Sequence, residues 1–133
     1  MLSAVQIKPD VYAVGAIDWN AREFHGYTTE QGITYNAYLI LDEKITLIDT
    51  VKYTMTDELI ERIQSIVDPA KIDVVVCNHI EMDHSSSLPA VLKVAPNAAV
   101  YASAPQGVKE LKAFYGEDLE VNGVKTGDTL SIG

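Results

Sequence analysis

The chain has 133 residues, enough for one domain, and its 47% hydrophobic content argues for a buried core and against disorder. Nineteen acidic residues against ten basic ones leave a formal charge of −9 and a pI near 4.6. That balance excludes nucleic acid and anionic membrane surfaces as natural partners, because like charges repel. A single cysteine, Cys77, excludes an internal disulfide; lying in an apolar run, it reads as a small buried hydrophobe. Met1–Asp10 has neither a basic leader nor an apolar signal segment, and no run is long enough to cross a bilayer, so a cytoplasmic location is expected.

The first forty or so residues predict β-structure. "VQIKPDVYAVGAI" holds two apolar stretches split by the turn signal Lys8-Pro9-Asp10. "TYNAYLILD" and "ITLIDT" read as two strands of a hairpin turning at Asp42-Glu43-Lys44. Between these pairs runs Asp18 to Gly32, polar, aromatic and without a period, the kind of long loop that often carries function. Trp19, Tyr27 and Tyr35 read as packing residues.

The period then changes. Leu59, Ile60, Ile63, Ile66 and Val67 recur at helical spacing behind Asp57 and Glu58, which complement the helix dipole; the spacing predicts a helix over 56–67, stopped by Pro69. "KIDVVVCNH" is a continuous apolar run, as expected of a strand covered on both faces. Helices over 87–95 and 105–115 follow, separated by the short strand "AAVYAS". "LEVNGVKTGDTLSIG" reads as two β-segments around Asn122-Gly123 and Thr126-Gly127-Asp128. β-rich sequence followed by alternating α and β predicts helices on a sheet, α/β or α+β.

The chemistry concentrates in "CNHIEMDHSSSLP", Cys77 to Pro89. Residues two apart in extended chain share a side, so His79 and Glu81 can face one ion, while a turn can bring Asp83 and His84 to a second. Charges set at the end of a buried strand need cations or hydrogen bonds as compensation. Mixed imidazole and carboxylate donors without thiolate suit iron, manganese or zinc.

"HIEMDH" resembles the H-x-E-x-D-H motif of flavodiiron proteins, the A-type flavoproteins that include rubredoxin:oxygen oxidoreductases. "VGAIDWNAREFHGY", "TYNAYLI", "LIDTVK" and "DHSSSLP" extend the resemblance over nearly the whole chain. It implies an α+β fold, the N-terminal half of a metallo-β-lactamase-like αββα sandwich. It implies a non-haem di-iron centre reducing dioxygen to water or nitric oxide to nitrous oxide. His79 and Glu81 would ligate one iron, Asp83 and His84 the other. His25 matches a histidine approaching the pocket, a candidate catalytic residue, and Asp49 one that braces the metal-binding loop without ligating. The family also needs two further histidines, a bridging aspartate and a flavodoxin-like domain carrying FMN. None occurs in residues 1–133, so a partial di-iron domain is expected, with an incomplete iron site and little activity by itself. An electron donor such as rubredoxin would serve the longer protein. Half a sandwich also implies a homo-oligomer, through the C-terminal β-segment or the face the rest of the domain would cover. Two other readings stand beside this one. The first is a hydrolase of the same superfamily, disfavoured by glutamate at position 81 where those enzymes usually carry histidine. The second is a shortened module acting only in binding or assembly.

Overall fold

In the computed structural model, which describes residues 1–133, the β-rich and alternating parts of the sequence become two halves of one sheet. The chain opens with β1 (Val5–Lys8), β2 (Val11–Ala13) and β3 (Ala16–Asp18), and the excursion that follows holds β4 (Glu23–Phe24) and β5 (Tyr27–Thr28). Then come β6 (Ile33–Tyr35), β7 (Tyr38–Ile40) and β8 (Thr46–Ile48). Helices alternate with strands from there: α1 (Thr56–Gln64), β9 (Val74–Cys77), α2 (Met82–Ser85), α3 (Leu88–Val94), β10 (Ala99–Ser103), α4 (Gln106–Tyr115) and β11 (Val121–Val124).

Seven strands pair in the order β1-β2-β7-β8-β9-β10-β11. The pairs up to β7–β8 are antiparallel, β1–β2 and β7–β8 joined by short connections and β2–β7 by the long excursion through β3 to β6, and those from β8–β9 onward are parallel. Each parallel step needs a crossover, and α1, α3 and α4 lie in the connections that supply it. Leu39, Leu47, Val75, Val100 and Ala102 of the sheet meet Leu59 and Ile63 of α1, Leu88 and Val91 of α3 and Leu111 of α4 in one core. Burying each large aliphatic side chain there stabilises the fold by about 1.5–3 kcal/mol.

Several expectations need correction. α1 ends at Gln64, not at residue 67: the N–H groups of Ile66 and Val67 both turn back to the Ile63 carbonyl, and the chain leaves the helix early. Pro69 does not stop that helix but opens a 3-10 turn, whose Ala70 N–H is capped by the Asp68 carboxylate at 3.0 Å. The other two helices lie within one residue of their expected bounds. "TYNAYLI" is two strands in two sheets, β6 against β3 and β7 against β2. The break follows from a close crossing at Gly15, where a Cβ would stand 2.1 Å from the Tyr35 carbonyl oxygen. The final stretch makes one strand, which runs straight through Asn122-Gly123 because all four of its residues pair in register with Val100–Ser103 of β10; the residues after Val124 form a turn and no second strand. Tyr35 packs as expected at 1% exposure, whereas Trp19 and Tyr27 stand mostly in solvent. Cys77 is buried, and burial, with the Asp49 charge beside it, pushes its thiol up to about 12, so it stays neutral.

Candidate metal centre

β8 and β9 run parallel, so their C-terminal ends open on the same side, where sheets of this kind build their sites. Asp49 follows β8 with φ at 59°, a left-handed conformation that a short polar side chain tolerates. Its own N–H donates to the Val76 carbonyl at 2.8 Å, and its carboxylate Oδ1 accepts the N–H groups of Asn78 (2.7 Å) and His79 (3.0 Å). The chain leaving β9 is thus held from the neighbouring strand just where the candidate ligands begin.

The turn expected to carry Asp83 and His84 is a regular turn of helix, α2. The Glu81 carbonyl accepts the N–H groups of His84 (3.0 Å) and Ser85 (2.9 Å) and starts that turn. Thr50 grips the far side: its N–H and Oγ1 both donate to the His84 carbonyl, at 2.9 and 2.7 Å.

The side chains converge. Asp83 faces both histidines, with Oδ1 3.5 Å from His79 Nε2 and Oδ2 3.7 Å from His84 Nε2. His79 Nε2 also lies 4.0 Å from Glu81 Oε2, and the two imidazoles meet edge to face at 5.1 Å. The pairings expected from the sequence, His79 with Glu81 and Asp83 with His84, are both in contact. The position of Asp83 between the imidazoles was not legible in the spacing. His25, at the β4–β5 turn with φ at 50°, reaches Glu81 Oε2 at 3.8 Å, and donor atoms of His25, Glu81 and Asp83 all lie within 4.8 Å of one another. Burial grades across the cluster: Asp83 is 12% exposed and Glu81 59%, so one side is enclosed and the other opens on a cavity of about 380 Å³. Phe24, Lys52, Met82 and Phe114 complete its walls.

Three observations fit a metal ion. The contacts of 3.5–4.0 Å are too long for hydrogen bonds, yet they match donors around a shared ion, which stand roughly 3–4 Å apart when each bond is about 2.1 Å. His84 Nδ1 is buried facing the Asp49 carboxylate, 3.5 Å from Oδ2, which leaves Nε2, on the Asp83 side, as the nitrogen available to an ion. Burial pushes the Asp49 carboxyl up from its ordinary range, against the pull of the His79 and Asn78 N–H groups and the imidazoles of His84 and His79. A nearby cation would offset that burial. The donors are hard and borderline, oxygen and imidazole.

Thr50, Lys52 and Ser85 lie within the quoted stretches "LIDTVK" and "DHSSSLP", yet sequence reasoning gave them no role; only the fold brings them to the cluster.

Comparison with known proteins gives a consistent picture. The family model described as "ODP family beta lactamase" matches residues 33–129. The chain is 46% identical, over 99% of its length, to the rubredoxin-oxygen oxidoreductase of Megalodesulfovibrio gigas, and 43% identical to the nitric oxide reductase of Moorella thermoacetica. Among solved structures, the flavodiiron protein from Giardia intestinalis superposes with a TM-score of 0.92 at 39% identity over the whole chain. The chain spans about a third of each, 33%, 34% and 32% respectively.

Proposed function

The chain belongs to the ODP family of β-lactamase-like domains, and from that premise we propose that His79, Glu81, Asp83 and His84 hold iron for a flavodiiron-type oxidoreductase. The reaction proposed is reduction of dioxygen to water or of nitric oxide to nitrous oxide, with a protein such as rubredoxin as electron donor. The observation that carries this reading is the placement of Asp83 between His79 and His84, at 3.5 and 3.7 Å, with no hydrogen bond between them.

When bound, iron would supply the electron-accepting and diatomic-binding chemistry; the chain's own residues set up the place for it. Asp49 faces His84 Nδ1, which favours the proton on that nitrogen and leaves Nε2 with its lone pair toward Asp83. The same carboxylate fixes the backbone of His79. Phe24, Met82 and Phe114 make part of the cavity wall apolar, while Lys52 adds positive charge to the cavity that Glu81 and Asp83 also line. His25, at the Glu81 side, is positioned to pass a proton into the cavity. FMN belongs, on this reading, with the part of the relatives that the chain does not span.

Two donors per ion hold a metal weakly, so residues 1–133 by themselves should bind iron(II) with low affinity and turn over little. Anaerobic titration calorimetry with Fe²⁺ tests this: a weak saturable heat in the native chain, lost in Asp83→Ala, is expected. No heat in the native chain would sink the reading.

Self-association is part of the same proposal. Edge strands β1 and β11 each have one free side, and Val5 and Ile7 of β1 stand 59% and 51% exposed. Sedimentation showing only monomer at about tens of micromolar would count against it.

A further inference from the structure

Helix α4 supplies none of the candidate ligands, yet its last residue reaches the segment that does. Ser85 follows His84 and is fully buried. Its Oγ lies 2.7 Å from the Ile80 carbonyl and 2.7 Å from the Tyr115 hydroxyl. A carbonyl can only accept, and serine has one hydroxyl proton, so Ser85 donates to Ile80 and Tyr115 donates to Ser85. The direction of both bonds is therefore fixed. Ile80 lies between His79 and Glu81, and its carbonyl belongs to the peptide that joins it to Glu81. The two bonds close a loop around Glu81, Asp83 and His84 and tie it to a ten-residue helix whose Leu111 is completely buried.

We infer that Tyr115, acting through Ser85, is a positioning residue for the cluster: it holds the peptide between Ile80 and Glu81 at a set distance from the turn that carries Asp83 and His84. As a metal-site claim this rests on the reading that the cluster binds iron. Thr50 secures the same turn from β8, by the His84 carbonyl, so the segment is clamped from two elements that do not share a strand or helix. Burial raises the Tyr115 hydroxyl above its usual range, so it stays protonated and able to donate at neutral pH. Phe114, its neighbour, lines the cavity, so the end of α4 both walls the site and braces it. The consequence is that a change thirty-four residues after Glu81, touching no ligand, loosens the ligand set.

The test uses Y115F and S85A in the 133-residue chain, with two readouts. Without metal, hydrogen–deuterium exchange is followed at the His84 and Ser85 amides, both bonded to the Glu81 carbonyl, with the Ile63 amide of α1 as internal reference. Exchange at His84 and Ser85 should quicken about tenfold in S85A and a few-fold in Y115F while Ile63 is unchanged. Unchanged exchange at His84 and Ser85, or equal quickening at Ile63, overturns the inference. With metal, Co²⁺ is competed against a chromophoric chelator and its visible spectrum recorded. Affinity should fall about tenfold in S85A and less in Y115F, with an altered spectrum; equal affinity and spectrum in all three chains overturns it. A native chain that binds no Co²⁺ defeats the functional reading instead, and the exchange arm then decides the inference alone. Should S85A not fold, Y115F keeps the ring and the Ser85–Ile80 bond and carries the test.

Discussion

Two segments deliver side chains to the same cluster, and they are held in opposite ways. Asn78–Ser87 is fastened from outside itself: by Asp49 on Asn78 and His79, by Thr50 on His84, by the Val51 carbonyl on the Ser87 N–H, and by Tyr115 on Ser85. Asp18–Gly32 is fastened chiefly to itself. Asp18 Oδ1 accepts from Asn20 and Ala21, Thr29 bonds back to Ala21 and Arg22, and a two-residue pair of strands sets the tip where His25 sits. Its outside tie by a side chain is the Tyr35 hydroxyl on Asp18, at 3.2 Å. The first segment inherits the rigidity of the parallel sheet. The second is a self-contained excursion, so Asp83 and the two imidazoles beside it are placed more firmly than His25.

Breaking the outside fastening should have the largest effect. D49A leaves two N–H groups at the end of β9 without their charged acceptor, and also puts alanine at φ 59°. A loss of about 3 kcal/mol in urea unfolding is expected. D49N keeps an oxygen acceptor and removes a costly buried charge, so it should lose about 1 kcal/mol. A D49A loss no greater than that of D49N would mean the strand end needs no such clamp. T50V, which keeps the shape but drops the Oγ1 bond to His84, should come next at about 1.5 kcal/mol by the same measurement.

On the excursion side, Y35F should cost about 1 kcal/mol, since Asp18 keeps its two N–H donors. It should also change the alkaline limb. Burial foremost, then the charge of Asp18, the hydrogen bond to it and the charge of Asp83 push the Tyr35 phenol up to about 12 from 10.0. The folded state therefore holds that proton longer than the unfolded one. Its contribution is fully present below pH 10 and is lost as pH rises from 10 through 12. Urea unfolding across that window should show a shallower decline in Y35F than in the native chain; parallel declines would break the assignment. H25A should be the mildest, within about 0.5 kcal/mol of native stability because its side chain is 56% exposed. Fe²⁺ affinity should fall only a few-fold, against a far larger loss in H79A. Equal losses in the two variants would erase the distinction between the segments.

The sequence made the outline of the fold and the four ligand-type residues legible because both are local signals. Helical spacing marked Leu59 and Ile63, a continuous apolar run marked β9, and proximity in the chain exposed His79, Glu81, Asp83 and His84. α2 escaped notice because a helix of four residues has no period to read. The split of "TYNAYLI" into β6 and β7 escaped because nothing within it signals the close crossing at Gly15.

What the sequence determined by itself was therefore composition, element type and donor chemistry, each encoded within a few neighbouring residues. The tertiary structure alone decided which donors share a partner. Asp83 stands between two histidines only because Thr50 and Asp49, from the end of β8, hold the turn and the strand end that carry them. Tyr115 meets Ser85 only because α4 follows β10 back over the parallel half of the sheet. Those contacts join residues about thirty positions apart, and no local period reports on such distances; closing them takes strand pairing and core burial.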